Sequence, residues 1–175
     1  EREDVKGTVL VVFHAAEEGK GGGEKMIEDG LFNLFPADEV YGMHNMPGIK
    51  VGEFAVAPGP MMAARDNFEI LVQGRGSHAA MPHQGVDPVV VGAHIVLALQ
   101  TITSRNINPQ ESLVVSVTQF HAGEAFNIIP DTVMLKGTCR VFNHELQGTL
   151  PDRIQRIVDG VSSTFGAKSK LTYHK

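Results

Sequence analysis

Two adjacent carboxylates, Glu17 and Glu18, stand between an apolar run at residues 9–13 and a glycine cluster at residues 21–23. The apolar run predicts a strand, so both acids are expected at a strand end, the edge where open α/β sheets build their ligand sites. One carboxylate at such an edge can bind a divalent cation while its neighbour takes a proton from a water molecule, as metal-assisted hydrolysis requires. Most Glu-Glu pairs are solvated surface charge, so the pair alone leaves both interpretations open.

Further polar residues that could do chemistry follow along the chain. His44 comes just after residues 38–41, which predict a short second strand, and an imidazole there could join a carboxylate on one metal. Taken alone, this histidine would be an ordinary polar residue at a strand end. His78 lies in a turn where Gly74 and Gly76 predict mobile, exposed backbone rather than core. The remaining motifs are Asn127-Ile128-Ile129-Pro130-Asp131 and Gly137-Thr138-Cys139-Arg140.

With these motifs in this order, the chain resembles the zinc-dependent amidohydrolase and peptidase family that includes hippurate hydrolases, aminoacylases and the plant auxin-conjugate hydrolases. The resemblance extends from about residue 7 to about residue 166. It implies that Glu17 is the general base that acts on metal-bound water, and that Glu18 and His44 are metal ligands. The implied cofactor is a divalent metal, with zinc expected and manganese, cobalt or nickel as alternatives.

The same resemblance assigns the later residues to the substrate, which it implies is an N-acyl amino acid or a similar small conjugate. His78 is expected to reach from the lid of one subunit into the active site of the other and to stabilise the tetrahedral oxyanion. Asn127 and Arg140 are expected to recognise the free carboxylate of the substrate, for which an arginine fork is geometrically suited. The alternatives are a turn-capping amide for Asn127 and a solvated sheet charge for Arg140.

Family members are also expected to carry an upstream metal-binding segment and a last histidine ligand near the carboxyl end, and neither is found in these residues. With Glu18 and His44 as its two ligands, the chain is expected to be the middle portion of a longer enzyme and to be inactive alone. The alternative is a non-catalytic module that dimerises or binds a small molecule.

The composition excludes some classes of partner. The chain has 175 residues, 42% of them hydrophobic, and a net charge of -5. It has no basic block for phosphate binding, which argues against nucleic acid as a partner. No uninterrupted apolar stretch reaches the roughly 18 residues of a membrane span, so no membrane partner is expected. Cys139 is the single cysteine and cannot form an internal disulfide, which predicts a reducing, cytoplasmic compartment.

Residues 1–60 are predicted to form part of an α/β catalytic domain. Strands are predicted at residues 8–13, 39–42 and 51–57, with a helix at residues 24–29. Such alternation is typical of an α/β sheet, and Pro58-Gly59-Pro60 predicts a hinge into a second domain.

Residues 61–175 are predicted to form the lid and dimerisation domain, a ferredoxin-like βαββαβ unit. Phe68, Ile70 and Val72 alternate with polar neighbours, which predicts a sheet covered by helices on one face. The second helix is expected to begin near Pro151, because proline is favoured in a first turn. The first helix, residues 88–99, is apolar almost all round, so we expect a second copy of the chain to cover its outer side in a homodimer.

Overall fold

The computed structural model describes residues 6–17 and 21–175, so Glu18 lies outside the described residues. The chain divides into two compact units, Glu1–Phe54 and Ala55–Lys175. The segment predicted as the hinge, residues 58–60, lies near the start of the second unit. The assignment of residues 1–60 to part of a catalytic domain stays a prediction.

The first unit contains two short helices, α1 (Gly22–Glu28) and α2 (Leu31–Leu34). The predicted helix is present, and Gly30 separates the two helices with a φ of 92°. The strands predicted at residues 8–13, 39–42 and 51–57 do not form. A strand is stable when a neighbouring strand satisfies its backbone hydrogen-bonding groups, and none of the described residues pairs with these segments. Accordingly, no residue in the described part of this unit is buried.

The second unit is built on a four-stranded antiparallel sheet whose strand order is β3-β5-β1-β6. The helices follow the first and third of these strands along the chain, so the predicted βαββαβ order is confirmed. A separate two-stranded ladder, β2 with β4, lies outside this sheet. The elements are β1 (Ala64–Gln73), β2 (Ser77–His78), α3 (Pro88–Arg105), β3 (Leu113–Ala122), β4 (Ile128–Ile129), β5 (Thr132–Val141), α4 (His144–Thr164) and β6 (Lys168–His174).

The core lies between the sheet and the two helices. Alternate residues of β1 and β5 point inward, and the predicted set of Phe68, Ile70 and Val72 is no more than 1% exposed. These side chains belong to one cluster with buried residues of α3 and α4, such as Leu99 and Ile154. Most of the inward positions are apolar, and the helices cover that side of the sheet. The other face therefore carries mainly polar side chains.

Helix α4 begins earlier than predicted. The side chain of Asn143 accepts hydrogen bonds from the backbone N–H groups of Glu145 and Leu146, at 2.9 and 3.2 Å, and so caps the helix. Pro151 therefore lies inside the helix rather than in its first turn, and the prediction was wrong. Leu150 on one side of the proline is fully buried, so packing against the sheet outweighs the backbone hydrogen bond that proline cannot make.

Helix α3 buries one side and exposes apolar residues on the other. Val91 and Ile95 are no more than 1% exposed, whereas Val90 is 44% and Leu97 is 70% exposed. By length and composition alone this helix is apolar enough to cross a membrane, with a mean hydropathy of 1.2 over 18 residues. A helix in the core of a water-soluble protein meets the same criterion, and the buried residues of α3 pack on the sheet.

Candidate functional site

The β2–β4 ladder brings two predicted site residues together. His78 lies opposite Ile128 in this ladder, and the N–H of Ala79 donates to the carbonyl of Asn127 at 2.9 Å. His78 and Asn127 are both exposed. Residues that are distant in sequence therefore form one small polar surface at the end of β1 and β5.

The turn that carries His78 is tied to the end of the sheet. Asp131 accepts hydrogen bonds from the N–H of Gly76 at its Oδ1, 2.7 Å, and from the N–H of Gly74 at its backbone carbonyl, 2.8 Å. A Cβ at Gly74 would lie 2.1 Å from the carbonyl of Val86, and one at Gly76 would lie 2.8 Å from that of Ile129. The glycines thus permit close backbone packing, in place of the mobile turn that was predicted. Sequence reasoning gave Asp131 no role, although an aspartate beside a turn is a usual acceptor for backbone N–H groups.

The hydrogen bonding of His78 fixes which ring nitrogen carries the proton. Its Nδ1 accepts a hydrogen bond from the backbone N–H of Ala80 at 3.1 Å, so Nδ1 carries no proton. In the neutral ring the proton is then on Nε2, which becomes a donor. The ring lines a shallow depression together with Gly76, Ile128 and Asp131. The arrangement presents one N–H donor at an exposed surface.

Arg140 lies on the outer face of the sheet, opposite the helices, and its guanidinium group is held in place. Its Nη1 donates to Oγ1 of Thr138 and to the carbonyl of Cys139, the latter at 2.9 Å. The Thr138 hydroxyl in turn donates to the carbonyl of Asp66 on β1 at 2.8 Å. Thr138 therefore links the arginine to the neighbouring strand.

The structure does not bring Arg140 near His78 and Asn127. The ladder that carries the latter two adjoins the Thr132 end of β5, whereas Arg140 is near the other end. The two positions on β5 are about eight residues apart, which at about 3.4 Å per residue is roughly 27 Å. One small substrate cannot touch both ends of the strand.

Glu17 and His44, the candidate residues of the first unit that the structure describes, are exposed. Glu17 follows Ala16, whose φ of 54° is unusual for a residue with a side chain. Nδ1 of His44 donates to the carbonyl of Asn45 at 2.9 Å, which leaves the lone pair on Nε2 free to bind a metal. Within residues 6–17 and 21–175, however, no three His, Cys, Asp or Glu side chains lie close enough together to hold a metal ion. The described donors alone therefore do not make a metal site.

A buried carboxylate lies on the helix side of the sheet. Asp66 is 1% exposed and accepts hydrogen bonds from Nε2 of Gln147 at 2.8 Å and from the hydroxyl of Tyr173 at 2.7 Å. Burial, together with the hydrogen bond to Asp66, raises the pKa of Tyr173 well above its ordinary value. Burial also raises the pKa of the neighbouring Cys139 thiol to about 11. This cluster holds β1, β6 and α4 together, with Asp66 and Cys139 buried and Tyr173 and Gln147 partly exposed.

Comparisons with known proteins identify the family to which the chain belongs. The peptidase dimerisation domain of the M20 family matches residues 65–165. The chain therefore belongs to the M20 amidohydrolase and peptidase family, as the sequence motifs predicted.

The relatives include enzymes that act on N-acyl amino acids. The chain is 39% identical over 173 residues to an N-acetyl-L-cysteine deacetylase of Bacillus subtilis, a match that covers 99% of this chain and 41% of that protein. It is 41% identical to an N-acyl-L-amino acid amidohydrolase of Geobacillus stearothermophilus, covering 98% and 46%. A dinuclear metal-binding M20 peptidase from Bacillus subtilis has a similar structure, with a TM-score of 0.70 and 31% identity over 93% of this chain and 39% of the other. The chain thus spans less than half the length of these relatives.

Proposed function

We propose that the whole protein hydrolyses the amide bond of N-acyl amino acids or similar small conjugates. The observation that carries this proposal is the presentation of His78, which exposes an Nε2–H donor on a turn that is hydrogen-bonded to the backbone of Asn127. A neutral imidazole donor of this kind suits an oxyanion that develops when an amide carbonyl is attacked. The names of the relatives, which include a deacetylase and an amidohydrolase, support the same reaction class.

In this proposal Glu17 is the general base. Its carboxylate takes a proton from the attacking water, and the protonated acid then passes that proton to the leaving amine. The Nε2–H group of His78 donates to the oxyanion. Glu18 and His44 are proposed as ligands of a divalent metal, zinc or one of its neighbours, in the whole protein.

We propose further that the site is shared between two copies of the chain. Arg140 is roughly 27 Å along β5 from Thr132, the end of the strand that the His78 ladder adjoins, so one copy cannot apply both residues to the same small substrate. Arg140 would bind the substrate carboxylate in its own subunit, and His78 would reach the active site of the partner. Asn127 adjoins His78, so it is assigned to the partner's site as well. The exposed apolar side of α3, with Val90 and Leu97, supports a homodimer.

Subunit exchange in the whole protein tests the chemistry and the sharing together. Glu17→Gln and His78→Ala should each lose most of the activity alone, since a general base contributes about 10²- to 10⁴-fold and an oxyanion donor about 10²- to 10³-fold. Mixing the two variants should restore activity, because a heterodimer has one site with both native residues. His83→Ala is the matched control, since this neighbouring exposed histidine has no assigned role and its loss should leave turnover intact. Verified heterodimers without activity would contradict the shared site, and an active Glu17→Gln variant would contradict the assigned base.

The second candidate function is a non-catalytic module that dimerises or binds a small molecule. It is favoured by the number of candidate ligands, since Glu18 and His44 are two and a zinc site is normally held by three or four protein groups. Both candidates predict that the 175-residue chain itself neither retains stoichiometric zinc after dialysis nor releases amine from N-acyl amino acids. They differ for the whole protein, in which only the proposed function predicts amine release. The free, buried Cys139 supports a cytoplasmic location for the whole protein.

A further inference from the structure

The outer face of the sheet carries far more positive than negative charge. The register of β1, β5 and β6 places their outward residues on one surface. Among the described residues of these strands this surface holds one carboxylate, Glu69, which accepts a hydrogen bond from Nζ of Lys136 at 2.8 Å. The chain as a whole has a net charge of -5, so the excess of cations is local to this face. The lysines and arginines of the face are Arg65, Lys136, Arg140, Lys168 and Lys170.

Two of these cations are placed directly against each other. Arg65 lies opposite Arg140 in the β1–β5 register, so both guanidinium groups share one end of the face. Directly opposed side chains have Cβ atoms about 4.5–5.5 Å apart, and like charges in this arrangement destabilise a sheet. Their neighbours on the face, Asn67, Thr138 and Val114, are uncharged. Across residues 6–17 and 21–175, neither arginine has a carboxylate within salt-bridge distance. The described residues therefore provide no anion to balance the positive charges of Arg65 and Arg140.

The two arginines offer separate sets of donors. Nη1 of Arg140 is engaged by Thr138 and by the carbonyl of Cys139, which leaves Nη2 and Nε for one further carboxylate. Arg65 is exposed, and in the described part of the chain no acceptor engages its guanidinium group. A guanidinium group can hold one carboxylate through two parallel hydrogen bonds. The two adjacent guanidinium groups therefore match a ligand that has two carboxylates. A ligand with one carboxylate would leave one of the two positive charges unbalanced.

We propose that Arg65 and Arg140 together bind a dicarboxylate, and that the favoured substrates are N-acyl amino acids with an acidic side chain. Arg140 binds the α-carboxylate, an assignment that rests on the proposed function. Arg65 binds the side-chain carboxylate and so determines specificity. Lys168 and Lys170 lie on the same face but pair with Gln73 and Leu71, toward the opposite end of β1, so they take no part in this site.

A binding experiment on the 175-residue chain tests this site without depending on turnover. The probes are N-acetylglutamate, with two carboxylates, and N-acetylglutamine, which has nearly the same shape and one. Titration calorimetry should show about tenfold tighter binding of N-acetylglutamate, the effect of one charge-assisted hydrogen bond at an exposed position. Arg65→Gln should abolish that preference. Arg156→Gln, which removes an exposed arginine from α4 on the other side of the sheet, should leave it unchanged.

Equal binding of the two probes, binding of neither, or a preference that survives Arg65→Gln would overturn the proposal. An amine-release assay of the whole protein then separates this inference from the proposed function. If N-acetylglutamate binds through Arg65 but is not cleaved, the dicarboxylate site stands and the amidohydrolase assignment fails. If both compounds are cleaved with equal kcat/KM, the amidohydrolase assignment stands and the specificity inferred for Arg65 is wrong.

Discussion

Tyr173 donates a hydrogen bond to the buried carboxylate of Asp66 at 2.7 Å, and this bond ties the edge strand β6 to the central strand β1. The second carboxylate oxygen accepts from Gln147 on α4. The backbone carbonyl of the same aspartate accepts from Thr138, which positions Arg140 on the opposite face of the sheet. One residue thus connects the interior of the domain to its proposed substrate-binding face.

The first prediction concerns the strength of this buried bond. Tyr173→Phe should lower the free energy of unfolding by about 1–3 kcal/mol, because one oxygen of a buried carboxylate loses its partner. Tyr41→Phe is the matched control, since the Tyr41 side chain is 85% exposed and its loss should change stability little. Urea unfolding of both variants measures the difference. Equal midpoints would show that the Asp66 bond contributes nothing.

The second prediction is a loss of stability at alkaline pH. Burial raises the pKa of the Cys139 thiol to about 11, whereas the unfolded chain titrates near its ordinary value of about 8.5. Between these values the native state binds more protons, so the free energy of unfolding falls as the pH rises. Below about pH 8.5 this contribution is fully present. The raised pKa of Tyr173 adds a further loss above about pH 10.

Urea unfolding between about pH 7.5 and about pH 10.5 measures this dependence. Cys139→Ala removes the thiol, so its curve should be flatter than that of the native chain up to about pH 10, where Tyr173 begins to contribute. Parallel curves for the two proteins would contradict the assignment of the slope to Cys139.

The third prediction concerns the glycine that supports the His78 turn. Gly74→Ala should destabilise the domain, because its Cβ would lie 2.1 Å from the carbonyl of Val86 and the backbone would have to move. Gly160→Ala is the control, since a Cβ there meets nothing within 4 Å and the site is inside α4. That change should stabilise by about 0.5–1 kcal/mol through helix propensity. The midpoint temperature of thermal unfolding should therefore fall for Gly74→Ala and rise for Gly160→Ala. A change in the same direction for both variants would refute the close packing at Gly74.

The fourth prediction tests the outer side of α3 as the dimer contact. Leu97→Glu should shift the chain toward monomer, because a charge would replace an apolar side chain that is 70% exposed in the single chain. Gln110→Glu places the same charge at an exposed position outside α3, in the turn before β3, and should leave the dimer intact. Sedimentation velocity over a range of concentrations reports the assembly state. A native chain that stays monomeric at high concentration would rule out this dimer.

Much of the second unit follows from its sequence, because its strands pair with each other. The alternation through Phe68, Ile70 and Val72 correctly gave the inward face of β1. The apolar run at residues 8–13 also predicted a strand, but no strand forms there. A strand needs a neighbouring strand as its hydrogen-bonding partner, which a local sequence pattern cannot supply. The start of α4 was misplaced because proline was weighed above Asn143, whose side chain provides the actual cap.

Site residues were recognised from motifs rather than from physical patterns, so their arrangement was not predictable. The motifs assigned Asn127 and Arg140 to one substrate carboxylate, although Asn127 precedes β5 and Arg140 is near the far end of that strand. The opposition of Arg65 and Arg140 could not be predicted, because residues distant in sequence become neighbours only through strand pairing. Asp131 was overlooked because its partners are backbone N–H groups, which every residue but proline possesses.

The ten-residue length of β5 sets the distance between Arg140 and the ladder that carries His78. The residues at its two ends are held at a spacing set by the backbone repeat, which side-chain substitutions cannot alter. Adding or deleting two residues within β5 and its partner β1 would preserve the inward and outward faces but move Arg140 by about 7 Å relative to His78. Strand length should therefore be as restricted as residue identity in this domain, although nothing in the hydrophobic pattern requires it.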